Sequence, residues 1–425
     1  MKFIINRSKL DGMINIPGSK SHTIRALVFG LLAHGKSIIE FPLDSADTRS
    51  CLEMVKQFGA DVTIDKNIWN IKGMAGMPNI PDNIVDVGNS GTSLYIGLGL
   101  ASIVEGYTVF TGDHQIRNRP ADALIKSINE IDGKAFSTRD NGKPPIVVKG
   151  RINGGETSIE AVTSQYLTSL LIAAPLAKGD TLIKVPLLYE APYVSMTLNW
   201  LEKLDIKFEN RDYKEFYIKG NQDYRSFKEY IPADFSSATF FLVAAAITGS
   251  RLTLNGLDMN DTQGDKEVIN ILREMGAYIE IGERSVLIEG GRLKGGVFDL
   301  NAIPDSLPAL SVAACFAEGE TSLVNVPQAR LKETDRIKVM HDELKKMGAD
   351  IEELEDGLKI KKSNLTGAKI DGHGDHRVVM SISVAGLNAD GTTEIDTAES
   401  VAITFPSFLQ LMNSIGADIN NYVGA

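Results

Sequence analysis

Six times along the chain, a stretch apolar on every side runs into a short strand-like run, and an amphipathic stretch follows. The all-apolar stretches end at Gly35, Gly106, Gly179, Gly249, Gly319 and Gly391. The runs after them are Ser37–Phe41, Tyr107–Phe110, Thr181–Val185, Arg251–Leu254, Thr321–Val324 and Thr392–Ile395. A helix apolar all round, such as Ala238–Ile247 or Ala309–Phe316, has to be buried on every side. A second series keeps step with the first. Its amphipathic segments end in a stop and a β-like run at Cys51–Ile64, Ala123–Ser137, Val194–Phe208, Glu267–Ile281, Ile337–Ile351 and Phe408–Ile419. The stops are Gly59, Gly133, Asp205, Gly276, Gly348 and Gly416, and glycine there accepts the positive φ that ends a helix.

The period is about 70 residues, too long for an ankyrin-type solenoid unit. Each unit reads as buried helix, strand, amphipathic helix, strand and a hairpin, as with Asp65-Lys66-Asn67 before Ile68–Ile71. Three units per globular half is the natural packing. The pattern thus predicts an α/β chain of two domains, each of three repeated units with buried helices. A length of 425 residues agrees, because single cores stop growing well before that size.

Composition narrows the function. With 44 basic and 55 acidic residues the net charge is −11, which argues against a general nucleic-acid or anionic-membrane binder. A small basic pocket remains possible within that balance. The 43% hydrophobic content excludes a disordered chain. Cys51 and Cys315 lie far apart and outside any zinc-ligand spacing, so neither a disulfide framework nor a structural zinc is expected. The N-terminus lacks a signal-peptide core, and the longest apolar runs, such as Phe240 to Ile247, fall short of a membrane span. A soluble, cytoplasmic protein is expected.

The starts of the all-apolar stretches are polar. They read Gly18-Ser19-Lys20-Ser21, Gly88-Asn89-Ser90-Gly91-Thr92-Ser93, Thr163-Ser164-Gln165, Asp234-Phe235-Ser236-Ser237, Pro304-Asp305-Ser306 and Gly374-Asp375-His376-Arg377. Helix capping accounts for the Ser, Thr, Asn and Asp residues. It does not account for Lys20, Arg25 or Arg377, because a cation at a helix N-terminus opposes the dipole unless an anion lies between them. Converging helix starts would form a site for phosphates and carboxylates. More cations stand in Arg117-Asn118-Arg119-Pro120 and in Arg330-Leu331-Lys332-Glu333-Thr334-Asp335-Arg336. Against the acidic whole, Lys20, Arg25, Arg119, Lys332, Arg336 and Arg377 are expected to reverse the sign locally. Gly30 to Ser37 matches the letters of a phosphate-binding P-loop, but its glycines end a helix and open a strand, the reverse of what that loop needs. Asp371-Gly372-His373-Gly374-Asp375-His376 reads as a turn into a capped helix, not a metal site.

Taken in order, these motifs resemble the 5-enolpyruvylshikimate-3-phosphate synthase family over essentially the whole chain. The resemblance rests on Pro17-Gly18-Ser19-Lys20-Ser21 with Arg25, Gly88 to Thr92, Thr111-Gly112 with Arg119-Pro120, and Thr163 to Thr168. It continues through Asp234 with Ser236-Ser237-Ala238, Gln263-Gly264-Asp265, Pro304-Asp305, Lys332 to Arg336, Asp375-His376-Arg377 and Phe405-Pro406. It implies the enolpyruvyl transferase fold, an inside-out α/β barrel arrangement with residues 16–231 in one domain and 1–15 with 232–425 in the other. The active site would lie in the cleft between them. The implied reaction moves the enolpyruvyl group of phosphoenolpyruvate to the 5-hydroxyl of shikimate 3-phosphate, releasing phosphate. By the same resemblance Lys20, Ser21, Arg25, Thr163, Ser164, Gln165, Asp305, Gln328 and Lys332 would hold shikimate 3-phosphate. Lys20, Gly91, Arg119, Gln165, Arg336 and Arg377 would hold phosphoenolpyruvate. Asp305 would take the hydroxyl proton, Glu333 would protonate the methylene carbon, and Lys20 and Lys332 would assist. No metal or organic cofactor is implied. The chain is expected to act as a monomer on small molecules and, because Gly91 leaves room for a phosphoenolpyruvate mimic, to be inhibited by glyphosate.

The chain departs from the family pattern at Tyr95, where an arginine is frequent, at Glu190, where a serine often contacts the substrate phosphate, and at Ile403, where some members carry lysine. Two other functions stand beside this one. A UDP-N-acetylglucosamine enolpyruvyl transferase would carry a catalytic cysteine where this chain has His114, and Gly-Ala-Lys-Asn where it has Gly18-Ser19-Lys20-Ser21. A non-catalytic anion-binding protein on the same scaffold would have lost Asp305 or Glu333, and both are present.

Overall fold

The computed structural model describes residues 1–422. The chain divides into two compact units, one formed by Gly18–Ile231 and the other by Met1–Pro17 with Pro232–Ala425. The first carries α1 (Lys20–Leu32), α2 (Ala46–Gln57), α3 (Gly91–Ser102), α4 (Asp122–Glu130), α5 (Ser164–Ala173) and α6 (Ala191–Lys203). The second carries α7 (Phe235–Thr248), α8 (Glu267–Met275), α9 (Leu307–Cys315), α10 (Arg336–Lys346), α11 (His376–Gly386) and α12 (Phe408–Ser414). The odd-numbered helices bury nearly every residue, as their apolar surface requires. The even-numbered ones bury one face.

Among the described residues six four-stranded sheets cover these helices, and each has the same plan. The strand after the buried helix lies between a parallel edge strand and an antiparallel pair, which is a hairpin in every sheet but that of the last repeat. Glu320–Val324, for example, is parallel to Val297–Asp299 and antiparallel to Gly357–Lys361, which pairs antiparallel with Asp350–Leu354. Strand burial alternates: in Arg251–Asn255, Leu252 and Leu254 face inward while Arg251 faces water. Helices inside and sheets outside make this an inside-out α/β fold, and among the described residues no sheet closes into a barrel.

Several strands are exchanged between distant parts of the sequence, among them these three. Lys2–Asn6 completes the last repeat by pairing with Thr393–Ile395 and Asp418–Tyr422. Asp11–Asn15, close before α1 in sequence, runs parallel to Arg251–Asn255 after α7. Lys228–Tyr230, close before α7, runs parallel to Lys36–Glu40 after α1. The helix stops follow the expected rule at Gly59, Gly276, Gly348 and Gly416, with φ of 104°, 111°, 93° and 99°, and at Asp205, with φ of 62°. Repeat two differs, because Asp132 takes the positive φ of 68° in place of Gly133. Gly133 is required for space instead, since a Cβ there would stand 2.5 Å from Ile128 Cγ2.

Each unit has its own core. Phe29 stacks on Trp200 at 5.5 Å in one, and Phe241 meets Phe405 at 5.8 Å in the other. Cys51 and Cys315 are buried free thiols, and burial pushes both up to about 12. The P-loop look-alike lies as a helix end and a strand start, with Gly30 inside α1 and Lys36–Glu40 extended.

Candidate active site

Two clusters carry the candidate residues, and each is built within one unit. In Gly18–Ile231, α1 opens on Ser19, whose Oγ accepts from His22 N. That places Lys20 in the first turn, where Nζ lies 3.1 Å from the buried Asp47 Oδ2. Arg25 lies one turn further on and is 2% exposed. Its Nε donates to Thr197 Oγ1 (2.9 Å), Nη1 to the Ser21 carbonyl (3.1 Å), and Nη2 to Thr168 Oγ1 (3.4 Å) and the Tyr193 carbonyl (2.9 Å). Burial pulls its pKa down to about 10, which still leaves it charged at neutral pH.

The start of α3 meets the Arg119 segment. A Cβ on Gly91 would stand 2.5 Å from Arg119 Nη1, so only glycine lets that buried guanidinium lie against the helix start. Tyr95 and Tyr166 both donate to the Pro120 carbonyl, at 2.9 and 2.6 Å, and their rings meet edge to face at 4.9 Å. Tyr95 therefore steadies the Arg119-Pro120 segment where many relatives are expected to place a cation. Gln165 Nε2 donates to Thr92 Oγ1 (3.1 Å), tying the start of α5 to that of α3.

The start of α5 has an unusual cap. Thr163, its N-cap residue, makes no side-chain cap bond. Glu190 Oε2 instead accepts from Ser164 Oγ (2.8 Å), Ser164 N (3.2 Å) and Thr163 Oγ1 (3.4 Å). Glu190 thus holds the candidate phosphate donors Thr163 and Ser164.

The second cluster lies among the starts of α9, α10 and α11. Asp335 caps α10 by accepting from Lys338 N (3.0 Å), and Asp375 caps α11 by accepting from Arg377 N (2.9 Å). These caps set Arg336 and Arg377 on the first turns. Arg336, 1% exposed, reaches three carboxylates: Asp375 through Nε (2.9 Å) and Nη2 (3.1 Å), Asp305 through Nη1 (2.8 Å), and Glu333 through Nη2. Burial works against its charge, yet Asp375, Glu333 and Asp305 together hold its pKa above the ordinary value. Burial likewise opposes ionisation of Asp375, and Arg336 overcomes it, holding that carboxyl below the usual range. Arg377 Nη2 donates to the second Asp305 oxygen (2.9 Å), so Asp305 bridges both arginines. Thr334 Oγ1 adds a bond to Asp375 (3.0 Å).

The remaining candidates lie close in sequence to this cluster. Lys332 follows the short helical turn Pro327–Leu331 and precedes Glu333. Gln328, in that turn, is buried and donates to the Asn301 carbonyl (2.9 Å). His376 is buried in α11, and burial drives its imidazole down to about 3, so it is neutral at physiological pH. His373 Nε2 lies 2.8 Å from Glu343 Oε1. Ile403 ends the turn Ala398–Ile403 and is half-buried. The expected local excess of cations is therefore moderated. Asp47 and Glu190 in one unit, and Asp305, Glu333 and Asp375 in the other, set carboxylates among the same groups.

Sequence reasoning treated Asp375 as a cap, gave Thr92 and Thr168 no role beyond the motifs that contain them, and passed over Asp47 and Thr197. The one available signal was an acidic or hydroxyl residue in a helix that otherwise buries its face.

Residues 4–412 match the family model described as EPSP synthase (3-phosphoshikimate 1-carboxyvinyltransferase). A 3-phosphoshikimate 1-carboxyvinyltransferase from Acetivibrio thermocellus is 56% identical over 416 residues, covering 98% of each chain. One from Ruminiclostridium cellulolyticum is 53% identical over 415 residues, again covering 98% of each. A solved structure of EPSP synthase from Acinetobacter baumannii is similar with a TM-score of 0.82 at 30% identity, covering 99% of both chains. With its sixfold inside-out architecture, its paired acid–arginine cluster and these full-length matches, the chain belongs to the EPSP synthase (3-phosphoshikimate 1-carboxyvinyltransferase) family.

Proposed function

We propose that the two clusters divide the work of one transfer, that of the enolpyruvyl group of phosphoenolpyruvate to the 5-hydroxyl of shikimate 3-phosphate. This is the transferase reaction of the shikimate pathway, on the route to aromatic amino acids, that the family carries out. The single observation that carries the division of roles is Asp305, whose two oxygens are held by Arg336 and Arg377 at 2.8 and 2.9 Å. A carboxylate so placed can take a proton beside the two arginines suited to grip a substrate carboxylate bidentately.

Ser21, Arg25, Thr163, Ser164 and Gln165 hold shikimate 3-phosphate, with Gln328 and Lys332 as further contacts. Lys20, Gly91, Arg119, Gln165, Arg336 and Arg377 hold phosphoenolpyruvate. Asp305 accepts the 5-hydroxyl proton as that oxygen bonds to the central carbon of phosphoenolpyruvate, and Glu333 delivers a proton to the methylene carbon. The product of addition is a tetrahedral ketal. Loss of a methyl proton, with the C–O bond to phosphate breaking, restores the double bond and releases phosphate. The cations stabilise charge that builds on both anionic substrates.

Phosphate released from the pair shikimate 3-phosphate and phosphoenolpyruvate is the test. Release only with a UDP-sugar acceptor overturns the reading, and release with neither favours the non-catalytic alternative. Glyphosate is a competitor of phosphoenolpyruvate in this reading, supported by the close approach of Arg119 to Gly91. Turnover unchanged at saturating glyphosate and low phosphoenolpyruvate would refute that part. The enzyme works as a cytoplasmic monomer in this reading. In support, no helix among the described residues is long and apolar enough to cross a membrane. Scattering mass in solution checks the monomer.

A further inference from the structure

Of the buried helices whose starts are capped by a side chain, α1, α3, α7 and α11 use their own N-cap residue: Ser19, Ser90, Asp234 and Asp375. Helix α5 does not. Its donors go to Glu190, which lies 26 residues further along from Ser164, ahead of α6. Glu190 is 2% exposed and has left-handed backbone, φ 60° and ψ 39°. Its carboxylate gathers a backbone N–H and two hydroxyls at a helix start, the donor set that would serve a phosphate equally well. Thr163 and Ser164 are the residues read above as phosphate ligands of shikimate 3-phosphate. Two anions on the same donors repel each other, and the bonds cannot be shared.

We propose that Glu190 is a built-in competitor for the 3-phosphate of the acceptor substrate: its carboxylate must leave Thr163 and Ser164 before the phosphate binds there. This rests on the functional reading given above and deepens it. Glu190 sets the affinity and selectivity of the acceptor site without touching the reacting atoms. The exchange lowers affinity for every phosphate-bearing ligand at that position, and spares acceptors that lack the phosphate. It also keeps the start of α5 satisfied between turnovers, which is why a carboxylate at this buried place costs the fold little.

The experiment is calorimetric binding of shikimate 3-phosphate, shikimate and inorganic phosphate to the wild type, Glu190→Gln and Glu190→Ser. The glutamine keeps the shape and removes the charge, while the serine removes the competitor altogether. Expected is tightening of shikimate 3-phosphate and inorganic phosphate by about tenfold in both variants, the loss of one charge-assisted bond in the competing state. Shikimate affinity and the KM for phosphoenolpyruvate stay within twofold, which a merely structural role for Glu190 would not achieve. Phosphate-bearing ligands bound no tighter by either variant, with turnover intact, overturn the proposal and leave the reaction standing. A wild type that releases no phosphate from shikimate 3-phosphate and phosphoenolpyruvate overturns the reaction itself, and that control is run first. Should Glu190→Gln unfold, as thermal melting would reveal, inhibition of Glu190→Ser by inorganic phosphate decides alone.

Discussion

Arg25 and Arg336 are almost equally buried, at 2% and 1% exposure, and their surroundings are unlike. Around Arg25 the hydrogen-bond partners are neutral: two threonine hydroxyls and two backbone carbonyls. Around Arg336 stand three carboxylates. Burial pulls Arg25 down to about 10, whereas the carboxylates hold Arg336 above its ordinary value. A cation held by neutral dipoles keeps its charge available for an incoming phosphate. A cation shared among carboxylates orients them, and in the reading proposed above two of these, Asp305 and Glu333, move protons. In that reading, the first arrangement serves binding and the second serves proton transfer.

The largest expected effect breaks the chemical side of that contrast. Asp305→Asn lowers kcat by about a thousandfold, in the range expected for a lost general base, while shikimate 3-phosphate binds within a few-fold of the wild type. Steady-state kinetics beside calorimetry reads both, and full turnover by Asp305→Asn would remove Asp305 as the base.

Next comes the ionic cluster as structure. Arg336→Met leaves Asp375 buried without its main counter-charge, at a cost of about 3–5 kcal/mol in urea unfolding. A variant as stable as the wild type would mean that Thr334 and the helix start suffice for Asp375. On the binding side, Arg25→Gln weakens shikimate 3-phosphate about thirtyfold, roughly 2 kcal/mol, with the KM for phosphoenolpyruvate little changed. Equal losses for both substrates would dissolve the division of labour.

The smallest effect concerns pH. His376 titrates at about 3 in the fold, below the ordinary imidazole value near 6.5, because it is buried. The unfolded chain therefore takes up the proton first. The stability this histidine contributes is whole above about pH 6.5 and drains away as pH falls toward 3, by about 2 kcal/mol at pH 5. Urea midpoints at pH 7.5 and 5 compare the wild type with His376→Asn, whose midpoint is expected to fall less. Equal falls in the two proteins would place the acid sensitivity elsewhere.

Much of this was legible beforehand. Periodicity located the buried helices within a few residues: Ala238–Ile247 is the interior of α7, and Ala309–Phe316 covers most of α9. The runs at Arg251–Leu254 and Thr321–Val324 each extend by one residue in the fold. Asp305, Glu333, Arg336 and Arg377, chosen by motif, converge on one another. Contacts between distant positions were not legible. Nothing local ties Glu190 to Ser164, Tyr95 to Pro120 or Lys20 to Asp47, because each bond joins residues 25 to 27 apart whose meeting depends on how helices pack.

By itself, then, the sequence determined the sixfold rhythm, the buried character of alternate helices, the caps at the starts of α1, α3, α7 and α11, and the set of residues that carry charge. These follow from local rules: side-chain period, φ preference and the unpaired amides of a helix end. The tertiary structure alone decided which strand completes which sheet, with Asp11–Asn15 serving α7 and Lys228–Tyr230 serving α1. It also decided that Arg25 lies among hydroxyls, that Arg336 lies among carboxylates, and that Glu190 caps a helix it does not belong to. The reason is physical: a buried charge takes whatever partner packing brings within 3 Å or so, and packing is settled by the whole core at once.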